Sequence, residues 1–242
     1  MSTKIYDTPR LTAIHNKISA KIIADIGTDH AYIPINAVLD GRCERAYASD
    51  IRTGPLEIAR NNVVKYDLAD KIALRLGAGL SAVEKGAAGE IIIAGMGGIM
   101  IRDIISNDID KARSADRLIL QPMNSAHELR RYLFENGFEI VAEDLAAEGF
   151  KIYNIFVCEK GSGGGSGDIL DLHLPPMLYG HKLFDMLLDK KIKEFAKISG
   201  GIKRAANRTP EEEKNLIVYE RLLEKAVSKF KADTKGTFSS GR

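Results

Sequence analysis

The sequence predicts an α/β fold: a mainly parallel, Rossmann-like sheet that ends in an antiparallel hairpin, followed by a C-terminal helical hairpin. Three observations lead there. The first is Lys21-Ile22-Ile23-Ala24-Asp25-Ile26-Gly27-Thr28-Asp29-His30-Ala31, a short apolar run that closes on a carboxylate, turns at a glycine and opens a helix. The second is its repetition, with further short apolar runs at 45–49, 72–76, 90–94 and 117–120 alternating with helical stretches. The third is a change of rhythm after Gly137, where two strand-like runs are joined by so few residues that they must pair antiparallel.

In order, Leu11 to Ile18 reads as a helix covering the first strand, Lys21 to Asp25. Arg45 to Ser49 is the second strand and ends at Asp50. Gly54-Pro55 opens a helix to about Tyr66, with Leu56, Ala59, Val63 and Val64 on its apolar face. Ile72 to Leu76 is the third strand, ended by Gly77-Ala78-Gly79, and Ser81 to Lys85 is a short helix. In the fourth, Glu90 to Ala94, three consecutive isoleucines suit a central parallel strand buried on both faces. Gly95-Met96-Gly97-Gly98 follows, then a helix from Ile99 to Ser106. Arg117 to Leu120 is the fifth strand, ending in Gln121-Pro122, and the helix Ala126 to Glu135 stops at Asn136-Gly137. Phe138 to Leu145 and Lys151 to Glu159, with a turn near Glu148-Gly149, form the hairpin. Strand–helix repeats closed by such a hairpin are the sheet of a class I methyltransferase; an ordinary dinucleotide fold keeps its last strand parallel.

This domain is placed at 1–160. Residues 161–176, beginning with Gly161-Ser162-Gly163-Gly164-Gly165-Ser166-Gly167 and closing on Pro175-Pro176, read as a glycine-rich linker or loop. Residues 177–233 read as an antiparallel, coiled-coil-like helical hairpin. Its first helix, about Gly180 to Ala206, aligns Phe184, Leu188, Ile192, Phe195 and Ile202, and Gly200-Gly201 marks a point for it to kink or split. Its second starts at Pro210 and sets Leu216, Tyr219, Leu223, Ala226 and Phe230 at heptad spacing. The tail 234–242 is expected to be disordered.

Composition narrows the partners. Cys43 and Cys158 are far apart in sequence, which fits a reducing, cytoplasmic setting better than a disulfide framework. No run of about 18 apolar residues occurs, so no membrane partner is expected, and Met1 to Arg10 has no apolar signal core. The histidines and cysteines show no ligand spacing, so no metal is expected. Net charge is +2 but uneven: Leu178 to Lys235 holds 14 basic and 9 acidic residues, net +5, and the rest carries −3. A basic appendage on a slightly acidic domain suggests a polyanion. Lysines that merely solvate a helix face account for the same charge.

The chemistry lies at the strand ends. Gly27 lets the chain turn and approach a ligand closely. The next glycine of a dinucleotide fingerprint is replaced by Asp29, whose carboxylate repels a pyrophosphate and suits a phosphate-free, positively charged ligand such as S-adenosylmethionine. Asp50, 25 residues after Asp25, is placed to accept ribose hydroxyls, or to cap the following helix. Asp25 is placed to orient the methionyl amino group, Gly77-Ala78-Gly79 to lie against the adenine ring, and Gly95-Met96-Gly97-Gly98 to let an acceptor approach the transferable methyl. His30 reads as a base or as a helix cap.

Five segments taken together carry a more specific resemblance. They are Ala24-Asp25-Ile26-Gly27-Thr28-Asp29-His30-Ala31-Tyr32; Asp50 with Gly54-Pro55; Gly77-x-Gly79-Leu80; Ile93-Ala94-Gly95-Met96-Gly97-Gly98; and Leu118-Ile119-Leu120-Gln121-Pro122 with Leu129-Arg130. The chain resembles the bacterial tRNA adenine-N1-methyltransferases of the TrmK type, which modify the adenine at tRNA position 22. It departs from them at Ala78, where an Asp often reads the cofactor adenine, and at Met123, where an Asn is common. The resemblance implies S-adenosylmethionine as cofactor, held by Asp25, Gly27, Thr28, His30, Asp50, Ile51, Gly77, Ala78, Gly79, Ala94, Gly95 and Met96. It implies tRNA as partner, with Asp29 as the catalytic proton acceptor. Tyr32, Gly97, Gln121 and Pro122 are then placed at the substrate base, and Lys190, Lys191 and Lys193 on its phosphates. A monomer is expected over a dimer. A nicotinamide-dependent oxidoreductase, a non-catalytic RNA-binding protein and a small-molecule methyltransferase are the alternatives.

Overall fold

The computed structural model describes residues 8–163 and 168–236. The chain divides into two compact units, Met1–Gly165 and Ser166–Arg242.

The first unit is built on one seven-stranded sheet: β1 (Ile22–Ile26), β2 (Arg45–Asp50), β3 (Ile72–Leu76), β4 (Glu90–Met96), β5 (Arg117–Pro122), β6 (Phe138–Glu148) and β7 (Lys151–Lys160). The spatial order is β3-β2-β1-β4-β5-β7-β6. The first five strands are parallel and β7 runs antiparallel between β5 and β6. The expected fold class therefore holds. Strand order reverses between β1 and β4, which opens a crevice beyond the carboxyl ends of the strands.

The unbroken apolar runs have a simple cause. Successive residues point to opposite faces, and helices cover both. Ile23, Ile92 and Ile119 pack into one core with Ile14, Ile35, Ala59 and Val63. Those partners come from α1 (Pro9–His15), α2 (Tyr32–Leu39) and α3 (Thr53–Lys65). Ala24, Ile91, Ile93, Leu118 and Leu120 pack into the other. There they meet Ile101 and Ile105 of α4 (Gly98–Asn107), Ala112 of α5 (Ile109–Ala112) and Leu129 and Leu133 of α6 (Ala126–Glu135).

Two ion pairs built on buried carboxylates fix the frame. Glu90, at the start of β4, accepts from Ser19 N (3.0 Å), Ser19 Oγ (2.8 Å) and Arg117 Nη2 (2.5 Å). Glu143 of β6 accepts from Arg130 Nη2 of α6 (2.5 Å) and Asn154 Nδ2 of β7 (2.8 Å).

Some local expectations change. The helix expected over Ser81 to Lys85 is a 3-10 turn at Gly79–Ala82, left as soon as Val83 becomes extended. Helix α1 starts earlier than expected because Thr8 accepts from Leu11 N and Pro9 opens the first turn. The single-turn helix α5 is too short for any periodicity to announce.

In the second unit, a part of the segment expected as linker is ordered. Asp168 caps α7 (Ile169–His173) by accepting from Leu170 N, and a 3-10 turn follows at Pro176–Leu178. Helix α8 (Phe184–Arg204) continues unbroken through Gly200-Gly201. Packing against α9 (Pro210–Gly236) explains that: Phe195 meets Tyr219 at 6.1 Å between ring centroids, and Lys203 pairs with Glu220 at 2.6 Å. The short connection 205–209 turns the chain back, so the two helices run antiparallel. Phe195, Leu222 and Ala226 are buried, while Leu216, Tyr219 and Leu223 are half-buried. Residues 164–167 of the glycine-serine stretch, the Phe230 side chain and the tail beyond Gly236 lie outside what is described. Among the described residues, no helix is long and apolar enough to cross a membrane.

Candidate active site

A cavity of about 1090 Å³ opens at the carboxyl ends of the first four strands. The end of β1 contributes Asp25, Gly27, Thr28, Asp29 and His30, and α2 contributes Tyr32. Asp50 and Ile51 come from β2, Gly77, Ala78 and Gly79 from the turn after β3, and Ala94, Gly95 and Met96 from β4. The structure thus brings every residue expected at the cofactor to one wall.

Glycine is required at the centre. Gly27 has φ +73°, a left-handed conformation that favours glycine, and a Cβ there would sit 2.0 Å from Met96 Cε, so the methionine tip would have to move aside for any side chain. The N–H groups of Gly27 and Thr28 both donate to Ser49 O at 2.8 Å, tying this turn to β2. Asp29 (φ +52°) and Ala31 (φ +59°) are left-handed without being glycine. Such strain is tolerated where neighbours over-determine the backbone and concentrates at functional sites.

The carboxylates differ in setting. Asp25 is 3% exposed and accepts one hydroxyl bond, from Thr28 Oγ1 at 2.6 Å. Burial pushes its carboxyl up to about 7; the Thr28 bond works against that and the nearby Asp50 adds to it. Among the described residues no cation pairs with it. Asp50, also buried, accepts Arg52 N at 2.9 Å and Asp29 N at 3.4 Å. The residue at the N-cap of α3 is Arg52, so Asp50 does not cap the helix directly. Asp29 projects a largely exposed carboxylate, 3.7 Å from His30 Nε2.

His30 does not cap α2 either, because Ala31 holds that position without a side-chain bond. Its Nδ1 lies 3.1 Å from the Tyr32 hydroxyl, and the rings meet edge to face at 5.3 Å. Gly77 is needed because a Cβ would come within 2.9 Å of Ala82 Cβ. The Ala78 carbonyl accepts from Ser81 Oγ at 2.6 Å.

Three residues expected at the substrate are corrected. Gln121 is fully buried: its Oε1 accepts from Gly95 N (3.1 Å) and Arg10 Nη1 (2.9 Å), and its Nε2 donates to Pro122 O (2.9 Å). With the amide engaged on both sides, it shapes the Gly95 turn and presents nothing to a ligand. Pro122 is buried beside it. Gly97 faces protein, since a Cβ there would lie 3.1 Å from Asn124 Oδ1. Gly98 likewise runs against the next turn, where a Cβ would meet Ser125 O at 2.5 Å. The tail of this glycine run therefore serves the approach of two loops.

The lysine expectation also changes. Lys190, Lys191 and Lys193 belong to α8, and residues one apart on a helix diverge by about 100°. Lys191 is buried, its Nζ 2.9 Å from Glu194 Oε2, so it is unavailable to a phosphate. Lys193 is exposed and pairs with Asp189 at 2.6 Å. The exposed basic stripe runs instead through Lys190, Lys193, Lys197 and Arg204.

One wall residue escaped the sequence reading. Arg10 of α1 reaches Gln121, lies 5.8 Å from the Tyr153 ring centroid, and places Nη1 3.7 Å from where a Gly95 Cβ would be. Its backbone N donates to Glu148 Oε1 at 3.2 Å. Nothing local in Thr8-Pro9-Arg10-Leu11 announces partners so distant in sequence. Among the described residues no cluster of His, Cys, Asp or Glu could hold a metal. Burial pushes both cysteine thiols up, which leaves them poor nucleophiles.

Comparison with known proteins agrees with this geometry. A family model described as a methyltransferase domain matches residues 8–156. The tRNA (adenine(22)-N(1))-methyltransferase of Bacillus subtilis (strain 168) is 38% identical over 151 residues, which is 62% of this chain and 63% of the relative. The chain thus aligns with just under two thirds of that relative's length. The crystal structure of the B. subtilis M1A22 tRNA methyltransferase TrmK is similar over 92% of this chain and 99% of that one, with a TM-score of 0.81 at 30% identity. Streptococcus pneumoniae Sp1610, solved in complex with S-adenosyl-L-methionine, is similar over 90% of this chain and 100% of that one, with a TM-score of 0.77 at 33% identity.

Proposed function

Because the chain belongs to the TrmK family of methyltransferase-domain proteins, we propose that it methylates N1 of adenine 22 in tRNA, using S-adenosylmethionine. The observation that carries this reading is the acidic wall, above all a buried Asp25 with which, among the described residues, no cation pairs. That wall repels a dinucleotide pyrophosphate and fits a ligand with a sulfonium and an ammonium group. When bound, S-adenosylmethionine supplies the methyl group.

Each residue then has a physical task. Asp25 faces the donor's positive end in a buried setting where a charge interaction is strong. Asp50 accepts the ribose hydroxyls at the end of β2. Gly77, Ala78 and Gly79 line the side of the cavity that receives the adenine ring. Arg10 and Gly95, held in place from behind by Gln121, set the floor on which the acceptor base arrives. That base must leave its stack to enter, so Tyr32 and the rim of the cavity receive it. Holding acceptor and methyl in line supplies much of the rate. As N1 gains a methyl the base becomes cationic, and the Asp29 carboxylate stabilises that charge and takes a proton from the exocyclic amine. The basic stripe of α8 meets tRNA phosphates.

Incubating unmodified tRNA with the protein and donor, then mapping the methylated nucleoside, tests the function. 1-Methyladenosine at position 22 is expected. A different nucleoside, or none, overturns it. For Asp29→Ala, donor binding should persist while the rate falls about a hundredfold or more, the usual range for a lost general base.

A further inference from the structure

Phe150 stands in the turn between β6 and β7 with 88% of its surface exposed, more than any other large apolar residue among those described. The sheet register says where this turn lies. β7 pairs antiparallel with β5 through Leu120↔Phe156. Continued two residues beyond that last pair, the register brings Asn154 level with Pro122, the last residue of β5. Phe150 is therefore four residues farther on, roughly 13 Å past the strand end at ~3.3 Å per residue. It overhangs the edge of the sheet on which the cavity opens.

The overhang is braced. Arg130 and Asn154 both donate to Glu143, and the Arg130 guanidinium sits 4.7 Å from the Phe156 ring centroid. Glu148, two residues before Phe150, accepts from Arg10 N at 3.2 Å, and Arg10 lines the cavity beside Gly95. A held aromatic thus stands next to the acceptor side of the site without contributing to the core. Other exposed apolar residues share this edge: Ile99 and Met100 after β4, and Met123 after β5. Lys151, adjacent to Phe150, is exposed.

We propose that this hairpin tip is a stacking platform for a nucleotide next to the target adenine: Phe150 takes the base face and Lys151 its phosphate. The proposal rests on the reading that the substrate is RNA. Drawing one base into the cavity breaks the stack on its neighbour, which leaves an exposed base face beside the rim. An aromatic ring covers such a face for any base, and a lysine beside it matches the polyanion. A second protein would want a broader continuous apolar area than one ring flanked by Glu148 and Lys151.

The chain has no tryptophan, so Phe150→Trp introduces a single indole at the tip. Its fluorescence should be quenched by tRNA, saturating over the concentration range that saturates turnover. Phe150→Ala should raise KM for tRNA about tenfold or more, as loss of a stacked base does, leave S-adenosylmethionine affinity unchanged, and be rescued by Phe150→Tyr. A Phe150→Ala protein with unaltered tRNA KM, or an indole blind to tRNA, overturns the proposal while wild-type methylation leaves the RNA reading standing. A fluorescence change that follows protein concentration without RNA assigns the tip to a second copy and also overturns it. A wild-type chain that neither binds nor methylates tRNA overturns both readings together.

Discussion

Two buried carboxylates lie toward opposite edges of the same pair of strands, and folding treats them differently. Glu90, at the amino end of β4, is 1% exposed and held by Arg117 and by two groups of Ser19. Asp25, toward the carboxyl end of β1, is 3% exposed and held by one hydroxyl. A buried charge is stable only with a partner. For Glu90 the chain supplies that partner itself. For Asp25 it does not, and the carboxyl rises to about 7. A ligand with a positive centre completes the second site as Arg117 completes the first.

The largest expected effect breaks the structural member of the pair. Glu90→Ala strips Arg117 and Ser19 of their acceptor and should lower unfolding free energy by about 3 kcal/mol. The value is at the low end because the Arg117 side chain is 26% exposed and reaches water. Chemical denaturation measures it, and donor affinity of the folded fraction should not change. A loss well under about 1 kcal/mol would mean that Glu90 is no better matched than Asp25.

Asp25→Asn should do the opposite. A carboxyl whose folded pKa is raised from 3.8 to about 7 withdraws stability as pH climbs through that window, and the penalty is complete above it. Removing the charge should therefore leave the protein as stable or more so at pH 8, by a gain that is absent near pH 4 and grows as the pH climbs through about 7. Donor affinity should fall at least about tenfold. In the wild type, a donor that needs the ionised carboxylate must expel a proton below about pH 7, so affinity should weaken toward about tenfold per pH unit on acidification. Calorimetry in buffers of different ionisation heat would detect the released proton, and Asp25→Asn should abolish it.

That contrast also explains what could be read from the chain alone. Asp25 and Asp50 are legible because each is a carboxylate near the end of a largely apolar run, and Asp29 because it stands in the turn that follows, all of which fall at the site edge. Gln121 obeys the same rule and is misleading, because a strand end fixes position along the sheet and leaves the side chain's partner open. Arg10 was invisible: it reaches the wall only when α1 docks beside Gln121 and Glu148, contacts 111 and 138 residues away. Lys191 was grouped with its neighbours by sequence, yet helical rotation turns it inward to Glu194.

The turn that follows β1 offers a smaller, sharper test. Gly27 and Gly86 have nearly equal φ, +73° and +74°, but only Gly27 is crowded, by Met96. Alanine at Gly86 meets nothing within 4 Å and should lose only the backbone term, about 1 kcal/mol. Alanine at Gly27 should lose that and also push the Met96 methyl from its place on the cavity wall, weakening donor binding several-fold. Equal effects of the two substitutions on donor affinity would remove crowding from the account.

The smallest effect extends the comparison to the basic helix, where a paired and an exposed cation lie close in sequence. Lys197 is exposed on α8, whereas Lys191 is buried against Glu194. If the exposed stripe meets phosphates, Lys197→Gln should weaken tRNA binding only a few-fold and lower the slope of log affinity against log salt by about 1, because one fewer counterion is released. Lys191→Gln should leave that slope alone and act on stability, since its charge already belongs to the protein. Filter binding across a salt series separates the two. A slope that falls with Lys191→Gln and holds with Lys197→Gln would mean that RNA opens the Glu194 pair, and would transfer the phosphate contact to the buried side of the helix.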